Sequence, residues 1–178
     1  GFVRLVGEQR MPDGTLSSQY RFGHVLYQNE LYESLRPVRR ATISGVLARA
    51  IADFHARDTS PIASDLALLY ETSRDHMEAA RYSLIAVQRA VGVFAYREAI
   101  TLASRGLAQL ELAPESPERS SLGLGLQLVM ALALQFTKGY AASEVEQAMT
   151  RARALGVELN DHARLFRALE LLWTRYFA

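Results

Sequence analysis

Apolar residues recur at steps of three and four along most of the chain from Pro37 onward. That spacing places them on one face of an α-helix, which is typical of a helix packed against a core. A succession of helices is therefore predicted, including two near the end at about Ala142 to Leu155 and Asp161 to Tyr176. The other predicted inward stripes are Ile43, Leu47, Ala50 and Phe54; Ile62, Leu66, Leu69 and Tyr70; Met77, Ala80, Leu84, Val87 and Val91; and Tyr96, Ile100, Ala103, Leu107 and Leu110.

The first 35 residues follow a different pattern. Phe2 to Gly7 and Ser17 to Phe22 are short extended runs, separated by the turn sequence Met-Pro-Asp-Gly at 11–14. Pro fixes φ and Gly tolerates positive φ, so this sequence favours a chain reversal. The pattern predicts a β-hairpin followed by a helix, which ends at Leu35 because the residue before Pro37 avoids the helical region.

The longest apolar run, Leu122 to Phe136, alternates at its start like a strand. The run is too long for a typical strand and continues into strong helix formers, so we interpret it as a helix, although Gly123 and Gly125 each cost about 1 kcal/mol there. It includes Gln127 and is shorter than the roughly 20 residues of a membrane helix. The sequence therefore predicts a buried helix and no membrane span.

The helices carry a repeated spacing. A small residue is followed by an aromatic residue three positions on, a small residue nine further, and compact residues four and three beyond that. Such spacing lets antiparallel helices approach closely while a ring fills the adjacent gap. It resembles the tetratricopeptide repeat (TPR), so the predicted fold is mainly α, an α-α superhelix of TPR-like helix pairs after a short β-hairpin. The matching positions are Ala67, Tyr70, Ala79, Ser83 and Ala86; Ala133, Phe136, Val145, Met149 and Ala152; and, more weakly, Val87, Ala90, Ala99, Ala103 and Gly106.

Composition narrows the function classes. The chain has 178 residues and a net charge of +1, so no bulk charge attracts nucleic acid or an anionic membrane. It contains no cysteine, which excludes disulfides, thiolate metal sites and cysteine nucleophiles. This composition is compatible with a reducing compartment, and a cytoplasmic location is expected.

No convincing catalytic constellation is found in the sequence. There is no G-x-x-x-x-G-K-[S/T] phosphate loop, and the G-x-G at Gly123 and Gly125 has Leu128 in the place of a third Gly. The four histidines, His24, His55, His76 and His162, lie apart and lack metal-ligand spacing. We expect no catalytic residue, no cofactor and no metal, although an enzyme with a site in the groove of the array is an alternative.

Two features suggest partners. Arg36, Arg39 and Arg40 form a basic corner between two predicted helices beside the hairpin. A winged-helix DNA reader has a similar layout, whereas a solvated or intramolecular corner is the default for a nearly neutral chain. The last predicted helix has a heavy apolar stripe with nothing after it to cover it, which predicts self-association. Its residues are Phe166, Leu169, Leu172, Trp173 and Tyr176.

The motifs together resemble a segment of the bacterial STAND signal-transduction ATPases, especially those that carry a class III adenylate or guanylate cyclase. The chain begins at Gly1 without an initiator Met, as expected of an excised fragment. The resemblance implies that 1–57 ends a winged-helix-like region, that 58–178 begins a TPR-like arm, and that the ATPase core lies upstream. The motifs that carry it are Met11 to Thr15, Tyr20 to Gln28, Leu31 to Leu35, Arg39-Arg40, Asp65 to Ala67, Ala79 to Tyr82, Glu98 to Ile100 and Glu144 to Glu146.

In such proteins the arm recognises partners or effectors and helps to hold the ATPase inactive. The resemblance therefore implies a non-enzymatic regulatory and protein-interaction segment, whose partner is another protein or the upstream ATPase. His24 occupies a place similar to the nucleotide-sensing histidine of the MHD motif in related ATPases, although Val25 stands where that motif has Asp. The alternative for His24 is a residue that caps and packs the start of the helix.

Overall fold

The computed structural model describes residues 2–10, 14–164 and 166. A two-stranded hairpin leads into a series of helices, which confirms the predicted mainly α fold with an N-terminal β-hairpin. The strands are β1 (Val3–Arg10) and β2 (Leu16–Phe22). The helices are α1 (Val25–Ser34), α2 (Pro37–Phe54), a 3₁₀ turn (Ser60–Ile62), α3 (Ala63–Ser73), α4 (His76–Gly92), α5 (Tyr96–Leu112), α6 (Pro117–Lys138) and α7 (Ser143–Glu158).

The hairpin pairs its strands antiparallel, with Val3 opposite Phe22 and Arg10 opposite Leu16. The register shifts between Leu5 and Gly7, where one strand carries an extra residue. Gly14 has φ +91°, a conformation that glycine adopts without strain. The other predicted turn residues, 11–13, lie outside the described residues. A hairpin of two strands is marginally stable unless it packs on something else.

Successive helices in the stack run antiparallel. His76 at the start of α4 contacts Gln109 near the end of α5, whereas Ser83, further along α4, lies beside Gly106. The same reversal relates α5 to α6, because Tyr96 stacks on Phe136 at 4.6 Å while Leu110 lies beside Gly123. Each short connection therefore turns the chain back along the helix that it has just left.

Helices two apart in sequence also touch, which arranges the stack in two layers. Arg105 of α5 forms an ion pair with Glu71 of α3 at 2.6 Å. In the other layer Arg81 of α4 pairs with Glu118 of α6, and Leu84 packs beside Gly125. The helices α3 and α5 thus lie in one layer, and α4 and α6 lie in the other.

Small residues fill the contacts between the helices. Three hydrophobic clusters run along the stack, and alanine is the commonest residue in the largest of them. Of the fifteen positions of the repeat pattern, only Phe136 is exposed, at 60%, and its ring lies against Tyr96. The sequence pattern thus identified the faces on which these helices meet.

The apolar run from Leu122 to Phe136 lies within α6, so the prediction of a helix instead of a strand is confirmed. Ser116 caps this helix by accepting the N–H of Arg119 at 3.1 Å. Among the described residues, α6 is the one helix long and apolar enough to cross a membrane, with 44% of its apolar window buried inside the fold. It packs against α4, α5 and α7, as the core helix of a globular protein does.

The predicted buried stripe of α2 is wrong. Ile43, Leu47 and Phe54 are exposed at 44%, 45% and 37%, respectively, and the buried residues of this helix are Ser44, Gly45 and Ala48. The small residues face α3 because they allow the two backbones to approach, and a Cβ on Gly45 would lie 3.2 Å from that of Ser73. The larger apolar side chains of α2 are left on its outer face.

The packing joins α2 to the rest of the stack. Ala48 of α2 shares a hydrophobic cluster with Leu66 and Tyr70 of α3 and Ala79 of α4. The predicted domain boundary at residue 57 stays a prediction, but helices on both sides of it share this core. No described residue of the hairpin or of α1 is buried.

Gly106 of α5 lies against both α4 and α6. A Cβ at this position would meet the Cβ of Ser83 at 2.8 Å and Cδ1 of Leu126 at 3.0 Å. We expect Gly106→Ala to lower the free energy of unfolding. Overpacking costs about 1–3 kcal/mol, which outweighs the roughly 1 kcal/mol by which Ala favours a helix over Gly. Urea denaturation measures the change in the free energy of unfolding. The matched control is Gly92→Ala, where no atom lies within 4 Å, and equal stabilisation by both substitutions would contradict the prediction.

Candidate interaction surfaces

The N-terminal part of the chain carries a large exposed apolar surface. No residue of α1 is buried, and the strands expose apolar side chains along their length. The contact that holds α1 to the hairpin includes an edge-to-face pair of Phe2 and Tyr27, with ring centroids 4.8 Å apart. The exposed apolar residues here, called the N-terminal apolar surface, are Phe2, Val3, Leu5, Val6, Leu16, Tyr20, Val25, Leu26, Tyr27, Leu31, Tyr32, Val38, Ile43, Val46, Leu47 and Phe54.

His24 lies at the N-cap of α1. Its Nδ1 accepts the backbone N–H of Leu26 at 3.1 Å, and its ring meets that of Tyr27 edge-on at 6.3 Å. The alternative that His24 caps and packs the helix start is therefore confirmed. Because Nδ1 is the acceptor in a neutral ring, Nε2 carries the proton. A nucleotide-sensing role for His24 stays a prediction.

The basic corner is divided between internal and exposed arginines. The Arg40 guanidinium lies over the Tyr32 ring, with Cζ 4.1 Å from the centroid, and donates to the Tyr32 carbonyl at 3.0 Å. It also pairs with Glu33 at 3.4 Å. Arg40 thus fastens α1 to α2, whereas Arg36 and Arg39 are exposed. The basic corner is thus intramolecular at Arg40 and solvated at Arg36 and Arg39, as expected of a nearly neutral chain. DNA binding through this corner stays a prediction.

The other histidines make structural contacts or lie at the surface. Nδ1 of His55 is 3.0 Å from the Ile51 carbonyl oxygen, and Nδ1 of His76 is 2.8 Å from Oε1 of Gln109. His162 is exposed. Within residues 2–10, 14–164 and 166, no group of three or more His, Asp or Glu side chains is placed to hold a metal ion.

Three residues with shifted pKa values lie where α3 packs against α4. Burial raises the pKa of Glu78, against the opposing effect of Arg81, and burial also raises the pKa of Tyr70 and of Tyr82. The two tyrosine rings stack at 5.4 Å and belong to the hydrophobic cluster that α2 shares with α3 and α4. None of the three residues lines either of the cavities described below.

Most of the predicted self-association surface lies outside the residues that the structure describes. Phe166 is exposed at 69%. Leu169, Trp173 and Tyr176 lie outside the described residues. The start of this helix agrees with the sequence, because Asp161 accepts the N–H of Arg164 at 3.0 Å as a helix cap does. Self-association through this helix stays a prediction.

A cavity of about 940 Å³ opens between α5 and α7 over the first half of α6, and is called the α5–α7 groove. Leucines from α5 and α7 line it together with acidic and basic side chains. Gln127 of α6 also lines it, is 5% exposed, and has an Oε1 that receives no hydrogen bond from the described residues. Sequence reasoning noticed Gln127 as a polar residue in an apolar run but gave it no role.

A second cavity, of about 640 Å³, lies between the start of α2 and the turn from α3 to α4. Its lining includes Arg49, Arg74 and His76 beside Asp75. Asp75 accepts the N–H of Glu78 at 3.3 Å, so it already caps α4. Arg74 has φ +63° and ends α3 in the left-handed conformation.

Comparison with protein-family models, with curated proteins and with solved structures gives no match to this chain. The arguments about function therefore rest on the residues and their geometry.

Arg40 gives a test of how α1 is held. Arg40→Ala removes a stacked cation and a charge-assisted hydrogen bond, together worth roughly 1 kcal/mol. We expect hydrogen exchange in residues 25–34 to become about fivefold faster as α1 opens more often. Exchange measured by mass spectrometry checks this. Arg39→Ala removes an exposed guanidinium from the same corner, and faster exchange in that variant too would contradict the assignment.

The buried glutamines of α6 give a second test. Gln135 is 6% exposed and its Nε2 lacks a partner among the described residues, so it resembles Gln127 in burial. Replacing a buried, unsatisfied amide by a side chain of similar volume removes a desolvation penalty of about 1–3 kcal/mol. We therefore expect both Gln127→Leu and Gln135→Leu to raise the free energy of unfolding measured in urea. Destabilisation by either substitution would show that its amide is satisfied in solution.

Proposed function

We propose that this chain is a non-enzymatic regulatory and protein-interaction segment of a larger STAND-type signal-transduction ATPase. The hairpin and α1 form the contact with the upstream ATPase, and the helices from α2 onward begin a TPR-like arm that binds a partner or effector. The proposal includes a cytoplasmic location and no cofactor.

The observation that carries the proposal is the two-sided packing of α2. Its small residues Ser44, Gly45 and Ala48 pack on the stack, while Ile43 and Leu47 stay exposed on the other side. A helix with apolar residues on both sides is typical of one buried between two bodies. The exposed apolar side chains of the hairpin and α1 add to this surface, and exposed apolar surface of this kind marks interaction sites.

The packing of the helix pairs supports the proposal of a TPR-like arm. The positions that resemble the tetratricopeptide repeat lie on buried faces, and ion pairs join helices two apart in the chain. Repeat arrays are built from such contacts between neighbouring units. A superhelix of TPR-like units is therefore the form that we propose for the complete arm.

His24 has a defined place in this proposal. Its Nδ1 is used by the α1 cap, so the group left for a nucleotide is the Nε2–H. That group is a hydrogen-bond donor and suits a phosphate oxygen. In the longer protein, we expect His24→Ala to weaken nucleotide retention only if the upstream core places a phosphate beside this ring.

The cysteine-free sequence allows a direct test of the N-terminal contact. Leu26→Cys, on the N-terminal apolar surface, is labelled with an environment-sensitive fluorophore, and Gln88→Cys, at an exposed position of α4, gives the control label. When the upstream ATPase is present in the same chain, we expect the label at 26 to shift to the blue and to resist iodide quenching. The label at 88 should respond equally in the long and short chains.

Equal quenching of the label at 26 in both chains would contradict the proposed contact. A blue shift in the short chain that grows with protein concentration would instead show that a second copy covers the surface. The non-enzymatic part of the proposal has its own measurement, because ATP hydrolysis by the 178-residue chain would overturn it.

A further inference from the structure

The hairpin and α1, called the head, are joined to each other by contacts of their own. The N–H of Gly23 donates to the Phe2 carbonyl at 2.9 Å, which closes the hairpin next to the start of α1. The Phe2 ring then lies edge-on to that of Tyr27, and His24 caps the helix. The strands and the helix of the head are therefore linked as one unit.

The head is not buried against the helical stack. Ser44 is the first buried residue along the described chain, and no residue of the head belongs to a hydrophobic cluster. Among the described residues, no hydrogen bond, ion pair or ring contact joins β1 or β2 to α2 or a later helix. Burial of apolar surface is the main force that fixes one packed element on another. The head lacks that restraint.

The joint between α1 and α2 has little restraint from the backbone. Leu35 (φ −71°, ψ 127°) and Arg36 (φ −59°, ψ 143°) are both extended. The N–H of Leu35 bonds back into α1, whereas the carbonyl of Arg36 accepts from α2, so no described backbone hydrogen bond crosses the peptide bond between them. Pro37 fixes its own φ and restricts the residue before it. The rotations left to the joint are ψ of Leu35 and φ of Arg36.

The Arg40 side chain bridges this joint. Among the described residues, the hydrogen bonds and the ion pair between α1 and α2 all come from its guanidinium, which meets the Tyr32 carbonyl and the Glu33 carboxylate. The same group lies over the Tyr32 ring. The Tyr32 carbonyl belongs to the last turn of α1, where carbonyls have no partner within the helix. Arg40 thus holds the head at one angle to the stack.

This position leaves Arg40 incompletely satisfied. Its Nε is buried and has no hydrogen-bond partner among the described residues. A buried donor without an acceptor costs free energy of the same order as a stacked cation contributes. If the head moves away, the Nε returns to water while the stacking is lost. The two effects oppose each other, so the position seen here and a released position differ little in free energy.

We propose that the head swings about residues 35–36 between this closed position and an open one, and that Arg40 is the latch that holds it closed. The N-terminal apolar surface lies on both sides of the joint, so a partner that covers it fits one angle and selects that position. The latch is a property of the 178-residue chain, goes beyond the proposed function and does not depend on contact with an ATPase.

Distances between pairs of spin labels test the latch, and the chain has no native cysteine to interfere. Gln28→Cys on α1 and Gln88→Cys on α4, both at exposed positions, report the position of the head. We expect double electron–electron resonance to show one main distance in the original chain. In Arg40→Ala the ratio of open to closed chains should rise about fivefold, because the closed position loses its bridging contacts. Arg39→Ala, which removes an exposed guanidinium, should leave the distances unchanged.

Two further label pairs distinguish a swing from unfolding. Gln88→Cys with Gln147→Cys on α7 reports the stack, and Ser18→Cys on β2 with Gln28→Cys reports the head, all at exposed positions. Both distances should be the same in the original chain and in Arg40→Ala. The faster hydrogen exchange expected in α1 then reflects brief fraying of a helix whose last turn has lost the Arg40 bond.

An unchanged distribution of distances between residues 28 and 88 in Arg40→Ala would overturn the latch, and so would an equal change in Arg39→Ala. A changed distance between residues 18 and 28 would also overturn it, because α1 would then unfold instead of moving with the hairpin. The proposed contact with an ATPase is tested separately through the label at residue 26. Failure of that contact would leave the latch intact, and failure of the latch would leave the contact intact.

Discussion

The close approach of helices through small residues is the constraint on which the rest of this structure depends. At the centre of the stack, Gly106 of α5 leaves space that Ser83 of α4 and Leu126 of α6 occupy. A packed interior gains dispersion energy only when such surfaces fit without gaps, so the position of each helix is determined by the size of a few residues. Because α4, α5 and α6 meet at this point, the arrangement of the two layers follows from it.

The same constraint explains the outer surface of α2. A helix that packs through Ser44, Gly45 and Ala48 must turn its larger apolar residues away from the stack. Those residues, with the hairpin and α1, leave much apolar area in contact with water, which is unfavourable by about 25 cal/mol for each Å². A chain that keeps such a surface is suited to association, and this is why we interpret the N-terminal part as a contact with a larger protein.

The α5–α7 groove follows from the layer arrangement. The helices α5 and α7 leave a trough between them over α6, so the side chains of α6 that face α5 and α7 form its floor. Gln127 lies there with its Oε1 buried and unsatisfied, at a cost to stability. Gln135, eight residues along the same helix, has a similar burial without lining this space. Position relative to the trough, and not residue type, distinguishes the two.

Local patterns in the sequence determined the hairpin, the order of the helices and several of their ends, because these depend on nearby residues. The break at Pro37 and the helix start at Asp161 are examples. The spacing of small and aromatic residues also located most of the buried contact faces. Which face of α2 would be buried could not be read from apolar periodicity, since backbone approach to α3 favoured the small residues over the large ones. The groove around Gln127 was likewise decided by tertiary structure, because it requires α5, α6 and α7 to come together, and a polar residue in an apolar run does not reveal what lies opposite it.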